Sequence, residues 1–133
     1  MPNFYTSGLG SVGSYQVSGV PWITGSGAGG LADGTEHTIS FPTVAKSVLV
    51  MLDDAQSDDI RVHFNATGSG NVVSGNHFYT LTTNRDAVSF NVKCKEIYIS
   101  NGSGAASGYV VVAELTGISV GEMFSLTGSG LTE

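Results

Sequence analysis

The feature that most constrains this chain is a two-residue alternation of apolar and polar side chains, repeated in short runs between clusters of Gly, Asn, Asp and Ser. Successive side chains of a β-strand point to opposite faces, so each run reads as a strand with one dry and one wet face. In Asp59 to Asn65, Ile60, Val62 and Phe64 share one face, and Arg61, His63 and Asn65 share the other. Ala87 to Lys93 repeats the pattern, with Val88, Phe90 and Val92 inward and Ser89, Asn91 and Lys93 outward. Eight strands are predicted: Tyr15 to Ile23, Glu36 to Phe41, Ser47 to Leu52, Asp59 to Asn65, His77 to Thr82, Ala87 to Lys93, Glu96 to Ser100 and Tyr109 to Leu115. Composition points the same way, because Val, Ile and Thr number 33 while the helix formers Glu, Lys, Arg and Gln number 12. The expectation is an all-β, single-domain antiparallel β-sandwich, jelly-roll-like, over residues 15–133, with one short helix near Val120 to Ser125.

Four Gly-Ser-Gly turns, at Gly25, Gly68, Gly102 and Gly128, are unequally spaced, so they are inter-strand loops and not a repeat period. Val48, Leu49, Val50, Met51 and Leu52 are apolar on both faces. That pattern fits either a central strand or a strand covered by a partner, the second being preferred.

Charge narrows the partners. Five Lys and Arg against 11 Asp and Glu give a net charge of -6, which removes the attraction to phosphate that nucleic acids and anionic membranes rely on. Neither is expected as a partner. Cys94 is the only cysteine, so no intrachain disulfide forms and an intracellular folding environment is expected. The opening MPNFYTSGLG has no basic region and no apolar core, and no run of 18 apolar residues occurs, so a soluble chain without a secretion signal is expected.

His37, His63 and His77 lie in separate predicted strands without metal-ligand spacing, and surface positions are the simpler reading. Cys94 sits between Lys93 and Lys95, cations that favour a thiolate, yet a lone strand cysteine reads first as a packing residue. Asp53, Asp54, Asp58 and Asp59 offer oxygen ligands for calcium but lack the spacing of a calcium-binding loop, so a solvated connection is preferred. Gly25 to Gly30 is not followed by the Lys-Ser/Thr of a phosphate loop. Asn65-Ala66-Thr67 and Asn101-Gly102-Ser103 match the glycosylation pattern, which matters only in a secreted chain. His77, Phe78 and Tyr79 beside the loop Asn71 to Asn76 leave recognition of a glycan open, whereas Trp22 reads as a packing anchor. No catalytic, metal or cofactor-binding set emerges, and a non-enzymatic role is expected.

The ends of the chain point to assembly. Met1 to Ala32 contains no Asp, Glu, Lys or Arg but carries many apolar side chains. Exposed tails stay dissolved by being charged and poor in apolar residues, and this segment is the reverse. Residues 1–14 are read as an arm whose Phe4, Tyr5 and Leu9 dock on a neighbouring subunit or shell, the rival being a first strand on its own domain. Tyr15, Trp22, Met123 and Phe124 complete the expected assembly contacts.

Tyr15-Gln16-Val17-Ser18-Gly19 with Pro21-Trp22-Ile23-Thr24-Gly25, His37-Thr38-Ile39-Ser40-Phe41-Pro42, Arg61-Val62-His63-Phe64-Asn65 and Met123 to Thr132 resemble small virion structural proteins of marine tailed phages, including cyanophages. The resemblance spans nearly the whole chain and implies a decoration or cement protein, made in the host cytoplasm and bound outside the major capsid protein on the virion head. A homotrimer is the expected assembly, since closed symmetry covers exposed sheet edges. A neck or tail protein, a glycan-binding module of a fibre or spike, and a glycan-degrading depolymerase are the alternatives.

Overall fold

The computed structural model describes residues 19–27, 30–53, 60–82, 86–102 and 106–133. Within them the chain is all-β and antiparallel, with seven strands: β1 (Val20–Gly25), β2 (Glu36–Leu52), β3 (Ile60–His63), β4 (Tyr79–Leu81), β5 (Ala87–Phe90), β6 (Cys94–Asn101) and β7 (Tyr109–Ser119). They form one continuous hydrogen-bonded sheet in the order β1-β7-β2-β6-β3-β4, with β5 also pairing β2. The expected arm, residues 1–14, and the start of the first predicted strand lie outside the described residues.

Where two strands were expected, Glu36 to Phe41 and Ser47 to Leu52, one 17-residue strand runs through. Pro42 reads as a break because it cannot donate to a ladder. In the structure it falls where the register with β6 shifts, between Ser40 and Ala45, and the register with β7 shifts on both sides of Ala45, between Thr43 and Ala45 and between Ala45 and Ser47. Irregularities of this kind tolerate proline and bend a strand sharply. The first half of β2 pairs β6 from Glu36↔Ser100 to Ser40↔Glu96, and the second half pairs β7 on one edge and β5 on the other. Each half therefore belongs to a different group of neighbours.

One face of each group meets in a single core. Val48, Val50 and Leu52 of β2 and Val111 and Ala113 of β7 pack with Ile97 and Ile99 of β6, Ile60 and Val62 of β3 and Leu81 of β4, all essentially without exposure. Their period-two spacing explains why these segments are strands, and their burial holds the sheet curved around them. Phe64 is only half-buried and packs at the edge of this core, while β5 ends at Phe90 and leaves Val92 exposed. A satellite cluster of Val44, Ile118 and Met123 lies under the 3₁₀ turn Val120–Glu122, which replaces the expected short helix and is capped by Ser119.

The predicted wet face of β3 fails at His63, which is 2% exposed. The reason is tertiary. The ring is enclosed by Ser100 and Tyr98 of β6 and by the Asn65 carbonyl, and the segment after β3 is tied to the C-terminal stretch by Asn71 N–H donating to the Thr132 carbonyl (2.8 Å) and by the Asn65 amide donating to the Leu126 carbonyl. Gly70 has φ 50° and faces that same Thr132 carbonyl, which a Cβ would strike, so glycine is required there.

Ile99→Ala removes a side chain from the centre of the core and is expected to cost about 2–5 kcal/mol in urea unfolding. Leu49, on the opposite face of β2 and 37% exposed, is expected to cost well under half of that when changed to alanine. Equal losses would show that the faces of the sheet are assigned the wrong way round.

Candidate functional site

Three regions concentrate what this chain offers to other molecules. The first is the outer face of β1, β7, β2 and β5. Register places Ile23 beside Val112 and Val112 beside Leu49 in one cross-strand row, with Val110 beside Met51 in the next. Ile23 is 67% exposed. The row that follows carries Glu114, whose carboxylate lies 3.7 Å from the Lys46 ammonium, above an open hollow of about 480 Å³. Among the described residues nothing covers Ile23, and the carboxylate of the bordering row is paired with Lys46. Leu49 and Met51 account for the double-sided apolar pattern: β2 is a central strand whose second face is only partly covered.

The second region surrounds His63. Its Nδ1 lies 2.5 Å from the Asn65 carbonyl, which can only accept, so Nδ1 carries the proton and Nε2 accepts from the Ser100 hydroxyl at 2.9 Å. Burial lowers the His63 pKa, against the opposing influence of the Asn65 bond and of Glu36. The imidazole is therefore neutral at pH 7, and its 3.6 Å approach to the Glu36 carboxylate is not an ion pair. Tyr98 stacks on it nearly parallel, with ring centroids 6.1 Å apart.

A hydroxyl donating to an oriented imidazole has the hydrogen-bond order of a nucleophile and its base. What is missing is room, since the adjoining hollow, lined by Glu36, Arg61 and Ser100, holds about 140 Å³, below the ~300–1,000 Å³ of ordinary ligand pockets. The arrangement ties β3 to β6. Sequence reading missed it because the partners stand 37 positions apart and no spacing rule connects them.

The third region is a cleft of about 300 Å³ between the β3 and β4 ends and the C-terminal turn, lined by Phe64, Asn76, His77, Phe78, Tyr79 and Phe90 among others. Tyr79 is half-exposed. Phe90 meets Phe64 and Tyr79 edge-on, at centroid distances of 5.5 and 6.4 Å, and the Arg61 guanidinium covers the Phe78 ring at 4.7 Å.

The remaining sequence candidates separate clearly. Phe4, Tyr5, Leu9 and Tyr15 lie outside the described residues, as do Asp54, Asp58 and Asp59. Trp22 is half-buried and packs edge-on against Phe41 at 5.3 Å, as a packing anchor does. Met123 is buried in the satellite cluster, while Phe124, 57% exposed, keeps its ring in solvent. Cys94 has no exposure, and burial pushes its thiol up to about 12 despite the flanking lysines. His37 bonds the Tyr109 hydroxyl at 2.8 Å. Among the described residues no three His, Cys, Asp or Glu side chains gather to hold a metal ion, and no helix is long and apolar enough to cross a membrane. The chain matches no family model, and no curated protein matches it.

Two outcomes follow from the titrating groups. His63 has a folded pKa below its unfolded value, so the unfolded chain binds more protons across that interval and stability falls as pH drops below about 6.5. The melting temperature is expected to decline between pH 7 and pH 5, and His63→Gln should flatten that decline. An identical slope in the variant would place the titration elsewhere. Cys94 is expected to resist a disulfide reagent at pH 8 in the folded protein and to react at once in denaturant, with rapid labelling of the native chain as the contrary result.

Proposed function

We propose that this chain is a non-enzymatic virion structural protein of the decoration or cement type, a homotrimer bound to the major capsid protein on the outer surface of a phage head. The observation that carries an assembly role is the outer face of β1, β7 and β2. Ile23, Val112, Leu49, Val110 and Met51 form an apolar patch across three strands, and its bordering carboxylate is already paired with Lys46. Isolated exposed apolar residues are ordinary, but a contiguous patch marks a surface that gains free energy by contact. The resemblance of the Pro21 to Gly25, His37 to Pro42 and Met123 to Thr132 segments to small phage virion proteins supports the choice of partner. Support for the non-enzymatic part comes from the buried Cys94 thiol and from the cramped surroundings of the Ser100 hydroxyl.

Sedimentation of the purified chain is expected to give three times 13.7 kDa, about 41 kDa. The double variant Ile23→Glu with Leu49→Glu should sediment as a smaller species with an unchanged circular dichroism spectrum, because two carboxylates in a desolvated patch oppose association. Reconstruction of intact particles is expected to place the chain on the outside of the head. A monomeric wild-type chain that is absent from the head, or a double variant that assembles like the parent, overturns the reading.

A further inference from the structure

We infer that the cleft walled by Phe64, Phe90 and Tyr79 on one side and by the turn at Asn76 and His77 on the other is a binding site for a neutral saccharide, one sugar ring in size. The inference is independent of the virion reading, since it concerns a different surface.

The occupant follows from the chemistry of the walls. A pyranose ring has an apolar face of C–H groups and a rim of hydroxyls, so it suits a site that presents an aromatic ring beside a few polar atoms. Tyr79 supplies the ring. It is 50% exposed at the cleft mouth, and Phe90 braces it edge-on at 6.4 Å while leaning on Phe64 in turn. A braced aromatic presents apolar area at little conformational cost.

The polar atoms come from the opposite wall. His77 lines the cleft, and its Nδ1 has no hydrogen-bond partner among the described residues although it is shut off from water. Asn76 holds a left-handed backbone, φ 59°, at the neighbouring position of the cleft wall.

That wall is built in advance. Gly75 N–H donates to the Asn71 carbonyl at 2.8 Å, Asn76 N–H to Val73 at 3.1 Å and His77 N–H to Val72 at 2.9 Å, and the turn is strapped to Thr132 through Asn71. Little ordering is left for a ligand to bring about. Charge selects against ionic ligands, because among the described residues no Asp, Glu, Lys or Arg lines the cleft, and the nearby Arg61 guanidinium lies over Phe78. The volume of about 300 Å³ is at the lower end of the ligand-pocket range, which suits one ring and not a long chain.

The test titrates the full chain, labelled with nitrogen-15, with methyl glycosides of glucose, galactose, mannose and N-acetylglucosamine up to tens of millimolar. At least one glycoside is expected to shift the amide resonances of Asn76, His77, Tyr79 and Phe90 in a saturable way. Tyr79→Ala, at an exposed position, should weaken that binding by about tenfold or more, whereas Tyr79→Phe keeps the ring and should retain it. His77→Ala should weaken binding as well. No saturable shift at these amides with any of the four glycosides, or equal binding by Tyr79→Ala, overturns the inference.

Discussion

Everything in this fold hangs on the bend in β2. Seventeen consecutive residues pair with β6 at one end and with β7 and β5 at the other, and the change of partners coincides with three register shifts around Ala45, one with β6 and two with β7. A flat strand of that length would leave one face of each half without a core. The shifts turn one half toward the other, so Ile39 and Phe41 of the first half and Val48 and Val50 of the second enter the same cluster. Ala45 itself is fully buried and pairs with both Cys94 and Leu115. A larger side chain at this junction would have to displace both neighbouring strands.

Because one bent sheet encloses the core among the described residues, its edges and crossings must satisfy their polar groups from within the sheet and its connections. The structure does so with strand side chains that reach segments distant in sequence. The Asn101 amide donates to the Leu31 carbonyl at 2.8 Å, the Thr116 hydroxyl to the Val44 carbonyl at 2.7 Å and Ser100 to His63 at 2.9 Å. Each of these residues is buried, and each bond spans at least 37 positions of sequence. A buried polar group is tolerated only when bonded, so these contacts fix strand placement more sharply than apolar packing does.

Strand identity was legible because a period of two survives in the sequence whenever one face is dry. Ile60 and Val62, or Ile97 and Ile99, announce themselves this way. The continuity of β2 was not legible, since Pro42 is a strand breaker in general and is harmless only at an irregularity that exists through tertiary pairing. His63 was misplaced for a related reason. Alternation assigns a face, but whether a residue on it is wet depends on its tertiary partners, here Ser100 and Tyr98 of β6 and Glu36 of β2, and nothing local encodes them. Of the candidate sites, the aromatic run His77 to Tyr79 was visible in sequence. Its convergence with Phe64 and Phe90, 26 positions apart from each other, was not.

The two outer faces of the bent sheet are chemically unlike, and this asymmetry connects the fold to its use. Outside β2, β6 and β3, the register aligns Glu36, Ser100 and Arg61 in one row and Thr38, Tyr98 and His63 in the next, with Glu96 beyond. Outside β1, β7 and β2, the corresponding positions hold Ile23, Val112 and Leu49, then Val110 and Met51. Core packing cannot account for this difference, because both sets point away from the same core. In a chain with only 12% charged residues, solubility depends on where those few charges stand, and among the described residues the rows outside β1, β7 and β2 hold Glu114, already paired with Lys46, as their charge. That side therefore gains most from being covered. If the chain associates through its apolar face, as proposed, the aromatic cleft stays clear of that contact, because Ile23, Val112, Leu49, Val110 and Met51 do not line it.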